Sequence, residues 1–130
     1  MSVTRLRLLA LAAVFATPAA FAAEAADVEA GKSAFTSKCG ICHATSKEPG
    51  GPIMGPNLAG VVGRNAASVK DFPMYTPALT AFGEKQKWNA KTLDAFLKAP
   101  FEAVPGTTMP LPLPDDKERA DVIAYLSTLK

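Results

Sequence analysis

The five residues from Cys39 to His43, Cys-Gly-Ile-Cys-His, constrain this chain more than any other stretch. They contain both cysteines and the single histidine of a 130-residue sequence. Three kinds of chemistry use two cysteines separated by two residues. They are a redox disulfide of the thioredoxin kind, a zinc site, and covalent attachment of a c-type haem, for which C-x-x-C-H is the signature.

The rest of the sequence favours the third chemistry. A thioredoxin-like motif belongs to an α/β unit, which this chain lacks, and a structural zinc needs four ligands, for which only carboxylates remain. Cysteines at i and i+3 of a helical turn can bond the two vinyl groups of one porphyrin edge, and the next residue can reach the iron. The motif predicts one haem c, bonded through Cys39 and Cys42, with His43 on the iron. An exported dithiol protein is the alternative.

The amino terminus has the pattern of a secretory signal. Arg5 and Arg7 precede an apolar run that extends to Ala16, and Ala20-Phe21-Ala22 supplies small residues for cleavage. We therefore predict a signal peptide at residues 1–22, cleaved after Ala22, and a periplasmic domain at residues 23–130. The apolar run is shorter than the roughly 20 residues of a spanning helix, so we expect no stable membrane insertion after cleavage. An uncleaved anchor is the alternative.

Removal of the signal also changes the charge balance. The whole chain has 14 basic and 12 acidic side chains, and loss of Arg5 and Arg7 leaves 12 of each. A nucleic-acid partner therefore loses its electrostatic support. The remaining length suits one domain, which we expect to be a monomer.

Capping residues and apolar periodicity predict four helices and no strand, which is an all-α fold. The helices are expected to begin after Asp27, at Thr76-Pro77, after Asn89 and after Asp115 or Asp116. Glu118 is expected to complete a capping box with Asp115. Two loops rich in glycine and proline, residues 48–60 and 104–114, separate them. Loops of this length are typically functional or disordered, and a cofactor beneath them would order them.

An iron held by one histidine has a sixth position, which an electron carrier closes and many haem enzymes leave open. Past the signal the methionines are Met54, Met74 and Met109. Met109 lies in a loop that prolines make stiff, so it can hold a thioether in place at little entropic cost. Met54 follows His43 so closely that we expect it on the histidine side of the ring.

From Asp27 to Leu129 the chain resembles the class I cytochromes c of mitochondria and bacteria. The haem motif is followed in the family's order by GPNLAGVVGR, MYTPAL, KWN, VPGTTM and ERADVIAYL. The resemblance implies the cytochrome c fold, a small helical domain wrapped around one covalently attached haem. It also implies axial ligation by His43 and Met109, a Pro56 carbonyl that orients the His43 ring, and polar contacts to the haem propionates. The residues implied in those last contacts are Arg64, Tyr75, Thr76 and Trp88.

The resemblance further implies a single-electron carrier, and no enzyme, that meets dehydrogenases, oxidases or reductases in transient contacts. A dedicated electron-accepting subunit of a periplasmic dehydrogenase stays open as an alternative, as does an open-site haem enzyme or gas sensor. Glu102 and Thr108 stand where mitochondrial relatives carry lysines, which disfavours a strongly acidic partner. Phe96 and Leu79 replace a tyrosine and an asparagine that are common in relatives.

Overall fold

The fold is built from short helices joined by long loops. The computed structural model describes residues 24–46 and 54–130. In these ranges it contains no strand, and an isolated antiparallel bridge pairs Asn65 with Lys87. The predicted all-α fold is confirmed, while the predicted signal, residues 1–22, lies outside the described residues. The helices are α1 (Val28–Lys38), α2 (Pro77–Lys85), α3 (Ala90–Lys98), α4 (Pro100–Ala103) and α5 (Asp116–Thr128).

The predicted caps start four of these helices. The Asp27 carboxylate accepts hydrogen bonds from the first-turn amides of α1, and the Thr76 hydroxyl accepts one from Leu79 in α2. Asn89 caps α3, where the Thr92 side chain bonds back to the Asn89 amide and completes a capping box that the sequence analysis did not predict.

The capping box predicted for α5 is only half formed. The Asp115 carboxylate accepts from the Glu118 amide at 2.7 Å, as expected. The Glu118 carboxylate, however, pairs with Lys38 at the end of α1. An ion pair between two helices has therefore taken the side chain that a local cap would have used.

Helices α1 and α5 cross in close contact at Gly31. A Cβ on Gly31 would lie 1.9 Å from the carbonyl oxygen of Asp121, so only glycine permits this approach. Phe35, one turn further along α1, packs against Tyr125 with ring centroids 5.4 Å apart. Gly31 and Phe35 therefore form the α1 side of a close crossing with α5.

The buried carboxylate of Asp121 also joins α1 to α5. Asp121 accepts a 2.7 Å hydrogen bond from the amide of Asp27 and two more from the ammonium of Lys117. The Asp27 amide, and then Lys117, hold the pKa of Asp121 below its usual range. The start of α1 is thus fastened to the middle of α5.

Proline divides the third helical region in two. Helix α3 ends at Lys98, and Pro100 begins the four-residue α4 at its first position, where proline is favoured. The sequence analysis predicted no helix there, because four residues are too few for periodicity to show. The short α4 leads into the loop that carries Met109.

Candidate functional site

Cys39, Cys42 and His43 lie on a single helical turn that continues from α1. The amides of Cys42 and His43 both donate to the carbonyl of Cys39, at 3.0 and 2.9 Å. Neither cysteine forms a disulfide, and all three side chains line the same cavity. The predicted cluster is therefore assembled on one wall, with its sulfurs and imidazole available to one group.

The cavity measures about 380 Å³ and is lined by residues of the hydrophobic core together with the cysteine turn. Well-packed interiors contain few voids larger than a water molecule, so a cavity of this size is a binding site rather than a packing defect. Apolar side chains form most of its wall. They include Phe35, Leu58, Val61, Leu79, Leu93, Phe96, Leu97, Val122 and Leu126.

The imidazole of His43 is fixed by the backbone of the following loop. Its Nδ1 lies 2.7 Å from the carbonyl oxygen of Pro56. Because a carbonyl only accepts, Nδ1 must carry the proton, which leaves the lone pair of Nε2 free to bind a metal. Burial lowers the pKa of His43, and Arg64 adds to that effect, while the Pro56 carbonyl opposes it. The ring is therefore neutral near pH 7, as a metal ligand must be.

Gly55 is a site residue that the sequence analysis missed. A Cβ at this buried position would lie 2.3 Å from Cε1 of His43 and 2.6 Å from Nδ1. The amide of Gly55 donates to the Cys42 carbonyl at 2.8 Å, which holds the loop against the cysteine turn. The glycine preceding Pro56 was the available signal, but which ring it would touch depends on how the loop folds back.

The environment of Cys39 does not suit redox dithiol chemistry. Burial, with a smaller contribution from Glu118, raises the pKa of the Cys39 thiol to about 11. Reactive cysteines in C-x-x-C motifs have lowered pKa values, because the thiolate is the nucleophile. In residues 24–46 and 54–130, no three His, Cys, Asp or Glu side chains converge on a metal position.

Burial distinguishes the three methionines. Met54 is 72% exposed and Met74 is 54% exposed, although both border the cavity. Met109 is half-buried and packs against the hydrophobic core while lining the same cavity. Of the three methionines that line the cavity, Met109 is therefore the least exposed.

The four residues expected at the propionates all line the cavity, and three of them make hydrogen bonds within the protein. Arg64 donates to the carbonyls of Asn57 and Ala59, at 2.6 and 2.9 Å. The Thr76 hydroxyl caps α2, and the Tyr75 hydroxyl accepts from the Val69 amide at 3.3 Å. The indole of the fourth residue, Trp88, packs between the rings of Phe82 and Phe96, with centroids 5.5 and 5.1 Å away.

Arg64 has no carboxylate partner in the described part of the chain, where the ion pairs involve other residues. Burial lowers the pKa of its guanidinium, and Tyr75 opposes that shift. A partly buried cation with only carbonyl partners can still gain from an anionic group at the cavity wall.

Comparisons with known proteins agree on one family. The family model described as cytochrome c matches residues 28–130. Cytochrome c from Tetrahymena pyriformis is 42% identical over 104 residues, which cover 79% of this chain and 89% of that protein.

Two solved structures share the fold. Cytochrome cH from Methylobacterium extorquens has a TM-score of 0.68 and 38% identity, covering 78% of this chain and 98% of its own. Ferricytochrome c2 from Rhodopseudomonas palustris has a TM-score of 0.70 and 34% identity, covering 80% and 99% respectively. The likeness therefore extends over nearly the whole of each solved chain.

Proposed function

The chain belongs to the cytochrome c family of electron carriers with covalently bound haem c, and we propose that this member works in the periplasm with His43 and Met109 as axial ligands. When bound, the haem supplies an iron couple that takes up and releases one electron. The observation that carries the proposal is the cavity that Cys39, Cys42, His43 and Met109 line together. Two thiols, a neutral imidazole and a thioether form a donor set suited to haem c.

The two proposed axial ligands, His43 and Met109, are held in position in different ways. The Pro56 carbonyl fixes the tautomer and orientation of His43 and makes its Nε2 a better donor. Met109 is held by its loop, because Pro110 and the prolines that follow restrict the backbone. Two preset ligands that stay in place leave little to rearrange when the charge of the iron changes.

The wall of the cavity contributes to the redox balance. Apolar side chains such as Phe96, Leu97 and Leu126 line the cavity and would exclude water from a haem bound there, which would favour the less charged reduced state. Arg64 and its polar neighbours are proposed to face the two haem carboxylates. The guanidinium has carbonyl partners alone within the described residues, and this supports that role.

Export and partners complete the proposal. The signal pattern at residues 1–22 supports a periplasmic location, where haem is attached after secretion. Ile41, between the two cysteines, is 71% exposed, so an apolar side chain lies on the surface beside the residues that would attach the haem. We propose brief contacts with other redox proteins across a small interface.

The proposed ligation is tested by Met109→Ala in the haem-loaded protein. The sulfur-to-iron charge-transfer band at the red end of the ferric spectrum should disappear, and the reduction potential should fall, because the thioether that stabilises reduced iron is lost. Met74→Ala is the matched control, since Met74 borders the same cavity but is 54% exposed. Its spectrum should retain the band.

Two results would contradict the proposal. A band that survives in Met109→Ala would exclude Met109 as the ligand. Rapid carbon monoxide binding by the unaltered reduced protein would show an open iron and favour an enzyme or gas sensor over a carrier.

A further inference from the structure

Arg119 is a buried charged residue outside the haem cavity. It lies on α5 and is only 3% exposed. Its Nε donates to the carboxylate of Asp94 on α3, and its Nη2 donates to Asp116 in the first turn of α5, both at 2.6 Å. Two carboxylates from different helices thus compensate one buried cation, an arrangement that a charge in the interior requires.

The third nitrogen of Arg119 binds the loop that bears Met109. Nη1 donates to the carbonyls of Leu113 and Pro114, at 2.9 and 3.2 Å, and makes a longer contact of 3.4 Å with that of Asp115. The guanidinium therefore joins α3, the start of α5 and the end of the loop. A lysine could not make these contacts together, because its ammonium lacks the planar fork.

Leu113 is the loop residue that contacts both Arg119 and α3. Its side chain is 2% exposed, its amide donates to the Leu97 carbonyl at 2.7 Å, and its carbonyl accepts from Arg119. Only three residues, Pro110, Leu111 and Pro112, separate this anchor from Met109. Since the two prolines fix their own φ angles, few backbone dihedrals remain to absorb a displacement of Leu113 before it reaches Met109.

We propose that Arg119 is a positioning residue that holds the Met109 loop against α3 and so sets how readily an external ligand replaces the Met109 sulfur. The proposal rests on the proposed ligation by Met109. Burial opposes the charge of Arg119, but its hydrogen bonds to Asp116 and Asp94 outweigh burial and raise its pKa. The Arg119 guanidinium therefore stays charged throughout the physiological pH range.

The test is an imidazole titration of the haem-loaded ferric protein carrying Arg119→Lys. Imidazole must displace the thioether to bind, so a loosened loop should lower the dissociation constant of imidazole by about tenfold, which corresponds to the loss of about one hydrogen bond to a charged group. Lys117→Met is the matched control. Lys117 pairs with Asp121 on the same helix, toward α1 and away from the loop.

The control should lower the melting temperature but keep imidazole affinity within about twofold of the parent, since it leaves the loop contacts intact. Equal affinity changes in Arg119→Lys and Lys117→Met would overturn the proposal, as would an unchanged affinity in Arg119→Lys. If that variant cannot be loaded with haem, Asp94→Asn, which weakens one partner of the guanidinium, is judged by the same comparison.

The failure of this proposal can be told apart from failure of the ligation itself. If Met109 is not a ligand, Met109→Ala keeps the charge-transfer band. If Met109 is a ligand but Arg119 does not position it, Met109→Ala loses the band while Arg119→Lys behaves like Lys117→Met.

Discussion

Gly55→Ala should severely reduce the recovery of haem-loaded protein. The added Cβ would lie 2.3, 2.6 and 2.8 Å from Cε1, Nδ1 and Nε2 of His43, so it would overlap the ring in its present position. Either the imidazole or the loop at Pro56 must move, and each movement breaks the 2.7 Å contact between Nδ1 and the Pro56 carbonyl. Loss of such a supporting hydrogen bond typically costs about 10- to 100-fold in metal affinity.

The measurement is haem content per polypeptide after expression with cytochrome maturation, together with the ferrous absorption spectrum of whatever protein is loaded. Gly63→Ala is the control, because a Cβ at Gly63 meets no atom within 4 Å although its φ is 95°. That control should lose stability through backbone strain, about 1–3 kcal/mol, but retain its haem and spectrum. Parental haem content and spectrum in Gly55→Ala would show that the close packing on His43 is dispensable.

Gly31→Ala should lower the free energy of unfolding by about 3 kcal/mol, the upper end of the usual range for overpacking, because the clash is with backbone atoms. The new methyl would lie 1.9 Å from the Asp121 carbonyl oxygen and 2.4 Å from its carbon, both backbone atoms within a helix. The two helices must separate, which also disturbs the contact between Phe35 and Tyr125. Helix propensity acts in the opposite direction, since alanine exceeds glycine by roughly 1 kcal/mol, so a net loss can be assigned to the crossing.

Guanidinium unfolding of the haem-loaded protein measures this effect. Ser33→Thr adds one methyl to an exposed position of the same helix and should change the unfolding free energy by no more than about 0.5 kcal/mol. A Gly31→Ala protein as stable as this control would mean that α1 and α5 do not cross as closely as described.

Local signals in the sequence predicted the helices well. Asp27, Thr76 and Asn89 cap the helices that they were expected to cap, because a cap needs only its own amides within three residues. Glu118 shows the limit of such signals. Its carboxylate had a local partner available, but the folded chain brought Lys38 within reach.

The site was predictable where the chemistry lies in consecutive residues and unpredictable where it depends on folding. Cys39, Cys42 and His43 form a motif, and the family resemblance supplied Met109 and Pro56. Gly55 and Arg119 lie in the matching stretches GPNLAGVVGR and ERADVIAYL, but neither the motif nor the resemblance indicated what they contact. Gly55 contacts the site because a loop returns to the His43 ring. Arg119 contacts the Met109 loop because three separate segments meet at its guanidinium.

The proposed function depends on one haem joined to the chain through Cys39 and Cys42. Its most direct test is the intact mass of the purified exported protein, measured after denaturation in acid. We expect the polypeptide beginning at Ala23 plus one haem, and replacement of both cysteines by alanine should remove that added mass. A colourless protein with the mass of its amino acids alone, made in a host that matures other cytochromes c, would contradict the account.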